Sequence, residues 1–260
     1  DLQAMLLSPD TQGRLDAMGR RAGLLAGTKA QAPIWRKDWG ADPARALNVL
    51  PLPAPDVIEK ALNLYQTDLR KPSLTVWVLD TSGSMDGEPM AKLKAAMGLL
   101  LDKQAAAQNL LQPSARDVSI IIPFESQPGA PYVVRGNDAA ALGGALAMVN
   151  GLQAGGGTDV YAALDTALDA LQPYADNGSL KDFLPAIVVM TDGASDKMNE
   201  QAFYADLNAR SFGHDVPIHA ISFGAADMEQ LSALTKAGIG RIFDSGGDLA
   251  SALRDAKGYN

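Results

Sequence analysis

From residue 73 onward the sequence predicts an α/β fold, a doubly wound and mostly parallel sheet with one antiparallel edge strand. Three observations carry this. Apolar, β-branched runs of strand length alternate with segments of helical periodicity, the pattern of a parallel sheet covered by helices on both faces. The run Leu74-Thr-Val-Trp-Val-Leu79 gives way at once to Asp80-Thr-Ser-Gly-Ser-Met85, so oxygen-bearing side chains fall where open α/β sheets bind ligands. A third, short run at residues 130–134 has Pro128, Gly129 and Pro131 about its start and follows its neighbour after a brief turn, which suits an antiparallel edge.

Taken in order, residues 1–72 read as an N-terminal extension and residues 73–260 as the main domain. In the extension, Ser8-Pro-Asp-Thr-Gln opens a helix that runs to Arg21. A stretch with Gly27, Pro33, Trp35 and Trp39 follows, and Pro51, Pro53 and Pro55 lead to a last helix over 56–69. Apolar positions are too few there for an independent core, so the extension is expected to pack on the main domain, with Trp35 and Trp39 as packing residues. In the main domain the predicted strands are 74–79, 118–124, 130–134, 186–190, 218–223 and 241–243. The predicted helices are 88–108, 139–152, 160–171, 199–211, 228–236 and 249–257. Met90, Leu93, Met97, Leu100 and Leu101 recur at helical spacing and form one buried face. Asp227 and Asp248 stand just before helical patterns, as N-caps do.

Composition narrows the chemistry. The chain has 260 residues, 47% of them apolar, enough for a substantial core. No run approaches the roughly 18 apolar residues that cross a bilayer. The opening Asp1-Leu-Gln-Ala-Met-Leu-Leu7 has neither a basic n-region nor a cleavage motif, so it does not read as a signal peptide. That leaves a cytoplasmic protein or a chain that begins inside a longer one. Cysteine is absent, which excludes disulfides, thiolate metal sites and cysteine nucleophiles. The net charge of -8 is uneven: residues 1–72 carry ten Lys/Arg against eight Asp/Glu, and residues 73–260 twelve against twenty-two. An acidic body without a basic, aromatic-studded patch argues against nucleic acid as a partner.

Three segments deliver oxygen to loop positions. Asp80, Ser82 and Ser84 alternate after the first strand, Thr158 follows Gly155-Gly-Gly157 ahead of a helix, and Asp192 follows the strand 186–190 within Thr191-Asp192-Gly193. Alternate spacing lets one extended turn aim three side chains at a single centre, and Gly83 eases that turn. Two carboxylates and three neutral hydroxyls suit a hard cation, Mg2+ first, with Mn2+ and Ca2+ compatible. Neutral hydroxyls leave the cation under-neutralised and electrophilic toward an incoming carboxylate. Thr158 also stands where a helix N-cap would, so capping competes with ligation.

Other chemistry fits less well. His214 and His219 read as structural or surface residues. Ser82, between Thr81 and Gly83, lacks a nucleophile-elbow setting, and no Gly-Lys phosphate loop exists. An aspartyl phosphotransferase built on Asp80 would want an acid two positions on, where Ser82 stands.

With these motifs in view, residues 73–257 resemble a von Willebrand factor type A domain, a Rossmann-like fold. Asp80-Thr-Ser-Gly-Ser84, Thr158 and Asp192 match its metal-ion-dependent adhesion site without a departure. The resemblance implies that the three hydroxyls bind the cation while the aspartates act directly or through water. A partner protein's acidic residue then fills the last coordination position. It also implies a non-enzymatic binding module and, by likeness to integrin-type members, a C-terminal helix (249–257) that shifts on binding. Ser8-Pro-Asp-Thr-Gln with Gly19-Arg-Arg, and Tyr65-Gln-Thr-Asp-Leu-Arg-Lys-Pro-Ser73, resemble the tail of a bacterial extracellular solute-binding domain and its joint to an adhesion-type domain. That likeness implies an extracytoplasmic bacterial setting, at the periplasm or cell surface, with a solute-binding domain upstream. The rivals are an intracellular adaptor for an ATPase complex and a Mg2+-dependent phosphoryl-transfer enzyme.

Overall fold

Strand β1, Ser73–Asp80, is buried along its whole length and lies in the middle of the sheet. In the computed structural model, which describes residues 2–19, 38, 51–223, 227–244 and 248–257, it pairs in parallel with β2 (Val118–Phe124) on one side and β4 (Leu184–Thr191) on the other. Two further strands, β5 (Ile218–Ser222) and β6 (Ile242–Asp244), extend the parallel sheet beyond β4. On the opposite edge β3 (Tyr132–Arg135) pairs antiparallel with β2. The order is β3-β2-β1-β4-β5-β6. This is the doubly wound, mostly parallel sheet with an antiparallel edge that the sequence predicts.

Period-two alternation in the central strands feeds two cores. Leu74, Val76 and Val78 of β1, with Ile187 and Val189 of β4, join one core beneath α7 (Val160–Asp176), α8 (Glu200–Ala209) and α9 (Met228–Ala237). Trp77 and Leu79, with Val188 and Met190, join the other beneath α4 (Glu88–Leu101), α6 (Ala139–Asn150) and α10 (Leu249–Ala256). The predicted Met and Leu face of α4 is buried there.

The predicted helix 88–108 is two helices. Asp102 adopts an extended conformation after α4, and its carboxylate accepts from the Ala105 N–H to start α5 (Lys103–Gln108). The predicted helix 160–171 instead continues past Pro173, because Tyr174 and Ala175 still pack against the core. Five aspartates cap main-domain helices: Asp102, Asp138, Asp159, Asp227 and Asp248. Each satisfies a first-turn N–H, an interaction of about 1 kcal/mol.

The chain divides into two compact units, residues 1–54 and 55–260. In the smaller unit, α1 (Leu2–Leu6) precedes α2 (Pro9–Ala17), whose cap is Ser8 with Pro9 at the first helical position. Gly27, Pro33, Trp35 and Trp39 lie outside the described residues. In the larger unit, α3 (Pro55–Leu64) runs into a π-helical turn, Tyr65–Leu69, ahead of β1.

At the end of the sheet where β1 and β2 begin, Arg70 and Asp117 form a buried ion pair with both side chains 2% exposed. The Arg70 Nη1 donates to Asp117 Oδ1 at 2.9 Å and Nη2 donates to Oδ2. Asp117 also accepts from the N–H groups of Ser73 (2.9 Å) and Ser114 (3.0 Å) and from the Ser114 hydroxyl (2.9 Å). Burial alone would push the Asp117 carboxyl up. The Arg70 bonds, the Lys257 charge and the Ser73 N–H outweigh it and hold the group below the usual carboxylate range. Lys257, fully buried just past α10, donates to the Leu111 carbonyl at 3.4 Å, and burial pushes its amine down to about 7 against the pull of Asp117.

Removing one partner of such a pair strands the other charge. Asp117→Ala is therefore expected to lower unfolding free energy by about 3–5 kcal/mol in urea denaturation at pH 7. A carboxyl with a lowered folded-state pKa stabilises the fold above its unfolded value near 3.9 and loses that contribution as pH falls through the folded value. The gap between wild type and variant should accordingly narrow in acid. A loss under about 1 kcal/mol would mean the pair is not a keystone of this end of the sheet.

Candidate metal centre

The connections that leave β1 and β4 at their carboxyl ends part toward opposite sides of the sheet, and the crevice between them is where ligands bind in open α/β folds. Asp80 ends β1 and Thr191 ends β4 in neighbouring positions. The Thr191 hydroxyl donates to Asp80 Oδ2 at 2.5 Å, and the Ser82 N–H donates to Asp80 Oδ1 at 2.8 Å. Asp80 has no exposed surface. Burial raises its carboxyl above the ordinary range, the Ser82 and Thr191 bonds oppose the rise, and the charge of Asp192 adds to it.

Past Asp80 the chain forms a short 3-10 turn, Gly83–Met85, that presents Ser82 and Ser84 side by side with hydroxyls 3.1 Å apart. The Ser84 hydroxyl donates to Asp192 Oδ1 at 2.8 Å, joining the first loop to the third. Main-chain bonds bring in the second loop. Gly155 N–H donates to the Thr81 carbonyl at 2.8 Å and Gly83 N–H to the Gly156 carbonyl at 3.2 Å. Gly156 has φ +76, and a Cβ there would lie 1.5 Å from Glu125 Oε2, so only glycine fits without displacement.

Of the five sequence-predicted residues, Asp80, Ser82, Ser84 and Asp192 are joined in one chain of hydrogen bonds. Thr158 reaches the same loop cluster through its backbone, whose carbonyl accepts from the Asp196 N–H at 2.9 Å. The N-cap of α7 is Asp159, which accepts from the Ala162 N–H at 3.0 Å. This corrects the expectation that capping would compete for Thr158. Its hydroxyl is half-buried and has no hydrogen-bond partner among the described residues.

Sequence reasoning missed several supports. Thr191, quoted only as part of its turn, holds the Asp80 carboxylate. The loop after β2 contributes Glu125, whose carbonyl accepts from Asp159 N–H at 2.9 Å, and Ser126, whose hydroxyl accepts from Gly157 N–H at 2.8 Å. Hydrogen bonds from the Ser126 backbone and hydroxyl hold the exposed Glu125 carboxyl below its ordinary range. Nothing in the segment around Glu125 and Ser126 marks it in advance beyond its place after a strand. His214 contacts the Ala237 carbonyl and Asn208, and His219 accepts from the Arg241 N–H, so both histidines are engaged elsewhere.

The donor set fits a hard divalent cation. It contains only oxygen, sets the Asp192 charge near the buried Asp80 carboxylate, and offers one hydroxyl with no hydrogen-bond partner among the described residues. Among the described residues no group of three or more His, Cys, Asp or Glu could hold a metal, so a site here must draw on hydroxyls.

The doubly wound, mostly parallel sheet flanked by helices is a fold shared with solved Rossmann-like von Willebrand factor type A structures. Residues 75–194, which contain all five site residues, match the family model described as the von Willebrand factor type A domain. No curated protein sequence matches the chain. Among solved structures it resembles von Willebrand factor type A from Catenulispora acidiphila, with 16% identity, TM-score 0.52, and 71% of this chain and 42% of that one covered. It resembles the manganese-loaded TRAP protein of Plasmodium vivax at 20% identity and TM-score 0.50, with 71% and 72% covered. A third likeness is proximal thread matrix protein 1 from the mussel byssus with a zinc-occupied MIDAS motif, at 14% identity and TM-score 0.51, with 73% and 46% covered. The chain thus spans less than half the length of the first and third of these, and the likenesses establish the fold.

Charge burial at Asp80 gives a test. With EDTA present, Asp80→Asn should melt at or above the wild-type temperature at pH 7, since the amide oxygen still accepts from the Ser82 N–H, its nitrogen donates to a Thr191 hydroxyl turned to accept, and the buried charge is removed. Differential scanning calorimetry checks this; a fall of several degrees would show that the charge itself stabilises the metal-free loops.

Proposed function

We propose that the chain is a divalent-cation-dependent protein-binding module, in which Asp80, Ser82, Ser84, Thr158 and Asp192 hold a Mg2+-type ion that captures an acidic residue of a partner protein. The observation that carries this reading is the hydrogen-bonded set of Asp80, Ser82, Ser84 and Asp192, with Asp80 anchored from behind by Thr191 and the glycine loop before Thr158 laced to the first loop through Gly83 and Gly155. The manganese in the Plasmodium vivax protein and the zinc in the mussel protein support a divalent ion as occupant. When bound, the ion would supply a Lewis-acidic corner for an outside carboxylate. The protein's own residues do the rest: Thr191 and the Ser82 N–H orient Asp80, and Ser84 sets Asp192.

Domains of this family are in general interaction modules, which supports a non-enzymatic role. Among the described residues both histidines bond away from these loops, so neither is paired with a site hydroxyl. The reading extends to an extracytoplasmic bacterial protein whose residues 1–72 are the tail of a solute-binding domain. It is supported by the motif likenesses at 8–12, 19–21 and 65–73. The reading frame upstream of residue 1 tests it, with a solute-binding domain and an export signal expected.

Metal dependence is the direct test. Mg2+ at a hundredfold its Kd should stabilise the fold by about 2.7 kcal/mol, several degrees in melting temperature for a domain of this size. Asp80→Ala and Thr158→Ala should each abolish the increment while retaining the far-UV circular dichroism of the wild type. If both variants respond to Mg2+ like the wild type, these residues are not the ligands.

A further inference from the structure

Behind Thr158 lies a buried polar network that the five site residues do not account for. Ser195, in the loop after β4, accepts from the Val160 N–H at 2.8 Å and donates to the Thr158 carbonyl at 3.0 Å. One hydroxyl therefore bridges the two peptides that flank Asp159. Ser195 is in turn held by Gln230 in the first turn of α9, which is 5% exposed. The Gln230 Oε1 accepts from the Ser195 N–H at 2.8 Å, while Nε2 donates to the Ser195 carbonyl and to the Tyr161 hydroxyl, both at 3.1 Å. The Tyr161 hydroxyl donates to Glu200 Oε1 at 2.9 Å, and Asn199 Nδ2 donates to Asp159 Oδ2 at 2.5 Å.

A side-chain amide that satisfies both backbone groups of one residue fixes that residue's orientation, and the amide's two ends cannot be exchanged without losing bonds. Gln230 fixes Ser195, and Ser195 fixes the main chain immediately after the Thr158 side chain, through the Thr158 carbonyl and the Val160 N–H. At the start of α7 the network takes the Val160 N–H while Asp159 takes the Ala162 N–H, so a helix-start role is the structural alternative that the affinity measurement below separates from positioning. Its geometry acts on the one site residue that lacks a side-chain tie to the others. It also links the loop carrying Thr158 to the loop carrying Asp192, since Ser195 lies three residues beyond Asp192.

We infer that Ser195 and Gln230 are positioning residues that set the Thr158 hydroxyl at ligating distance from the cation, and so tune its affinity. This rests on the reading of the site as a cation centre. Outer-shell partners of metal ligands typically change affinity by about ten- to a hundredfold when removed, whereas a purely structural contact changes melting temperature and leaves affinity alone.

The test is Mn2+ titration of the full chain, with free ion followed by electron paramagnetic resonance, alongside melting in EDTA. The proteins compared are the wild type, Thr158→Ala, Ser195→Ala, Ser195→Thr and Gln230→Met. The wild type should bind one Mn2+ and Thr158→Ala should bind far more weakly. Ser195→Ala and Gln230→Met should weaken binding by about tenfold or more, and Ser195→Thr, which restores a hydroxyl, should recover most of it. Gln230→Met preserves volume and decides the matter if Ser195→Ala does not fold. Wild-type Mn2+ affinity in the variants that fold, whatever their melting temperatures, would overturn the positioning role and leave the cation site standing. Unfolding of both in EDTA would make the contacts structural and overturn it too. Absence of Mn2+ binding by the wild type, or an unchanged Thr158→Ala, would instead sink the cation site itself.

Discussion

Asp80 is a carboxylate without exposed surface, at the end of a strand whose other seven residues are buried as well. Taking such a charge out of water costs several kcal/mol even after the protein relaxes. Two hydrogen bonds to the ionised group, from Ser82 and Thr191, return about 1.5–3 kcal/mol each. The balance is close, and Asp192 nearby tilts it the wrong way. A fold that kept this charge only for stability would do better with a neutral amide. Its presence makes sense if a cation completes the balance, and the loops around it follow from that constraint.

Those loops are held together mainly by backbone. Thr81 donates both its N–H and its hydroxyl to the Phe124 carbonyl, Gly155 and Gly83 lace the first loop to the second, and Asp159 ties the second to the loop after β2. Main-chain bonds join the first two loops without using the Ser82 or Thr158 hydroxyl, while the Ser84 hydroxyl ties the first loop to the third. Glycine suits position 156 through its φ of +76, and a Cβ there would also displace the Glu125 carboxylate. Only the third loop is held chiefly by side chains, through Ser84 to Asp192 and through Gln230 to Ser195.

Much of this was legible in the sequence, because the informative signals are local. The strand Val118–Phe124 can be read to the residue from its β-branched run, and the antiparallel edge β3 from the prolines about its start. Asp80, Ser82 and Ser84 announce themselves by alternation directly after a buried strand. What sequence conceals is partnership across distance. Ser195, Gln230 and Asn199 are ordinary polar residues until folding brings them against α7, and Arg70 finds Asp117 across 47 positions. The break at Asp102 was missed for a different reason: helical periodicity continues through it, and only the extended backbone of a capping aspartate reveals the new start. The residues from which the sequence reading drew Trp35 and Trp39 as packing groups lie outside the described structure.

The two ends of the sheet solve opposite problems with the same residue types. At one end Asp117 is buried with a full complement of donors and a bidentate arginine, so its charge is matched within the protein and its carboxyl stays below the ordinary range. At the other end Asp80 receives two donors, faces a second carboxylate, and is raised above it. Burial is comparable, since Asp117 is 2% exposed and Asp80 fully buried. The difference lies in what the neighbours supply. A saturated carboxylate stiffens the fold and offers nothing to a ligand, whereas an under-compensated one, lined up with hydroxyls and a second acid, retains affinity for positive charge. That contrast within one sheet, rather than the presence of acids as such, is the physical reason to place the functional end at the carboxyl termini of β1 and β4.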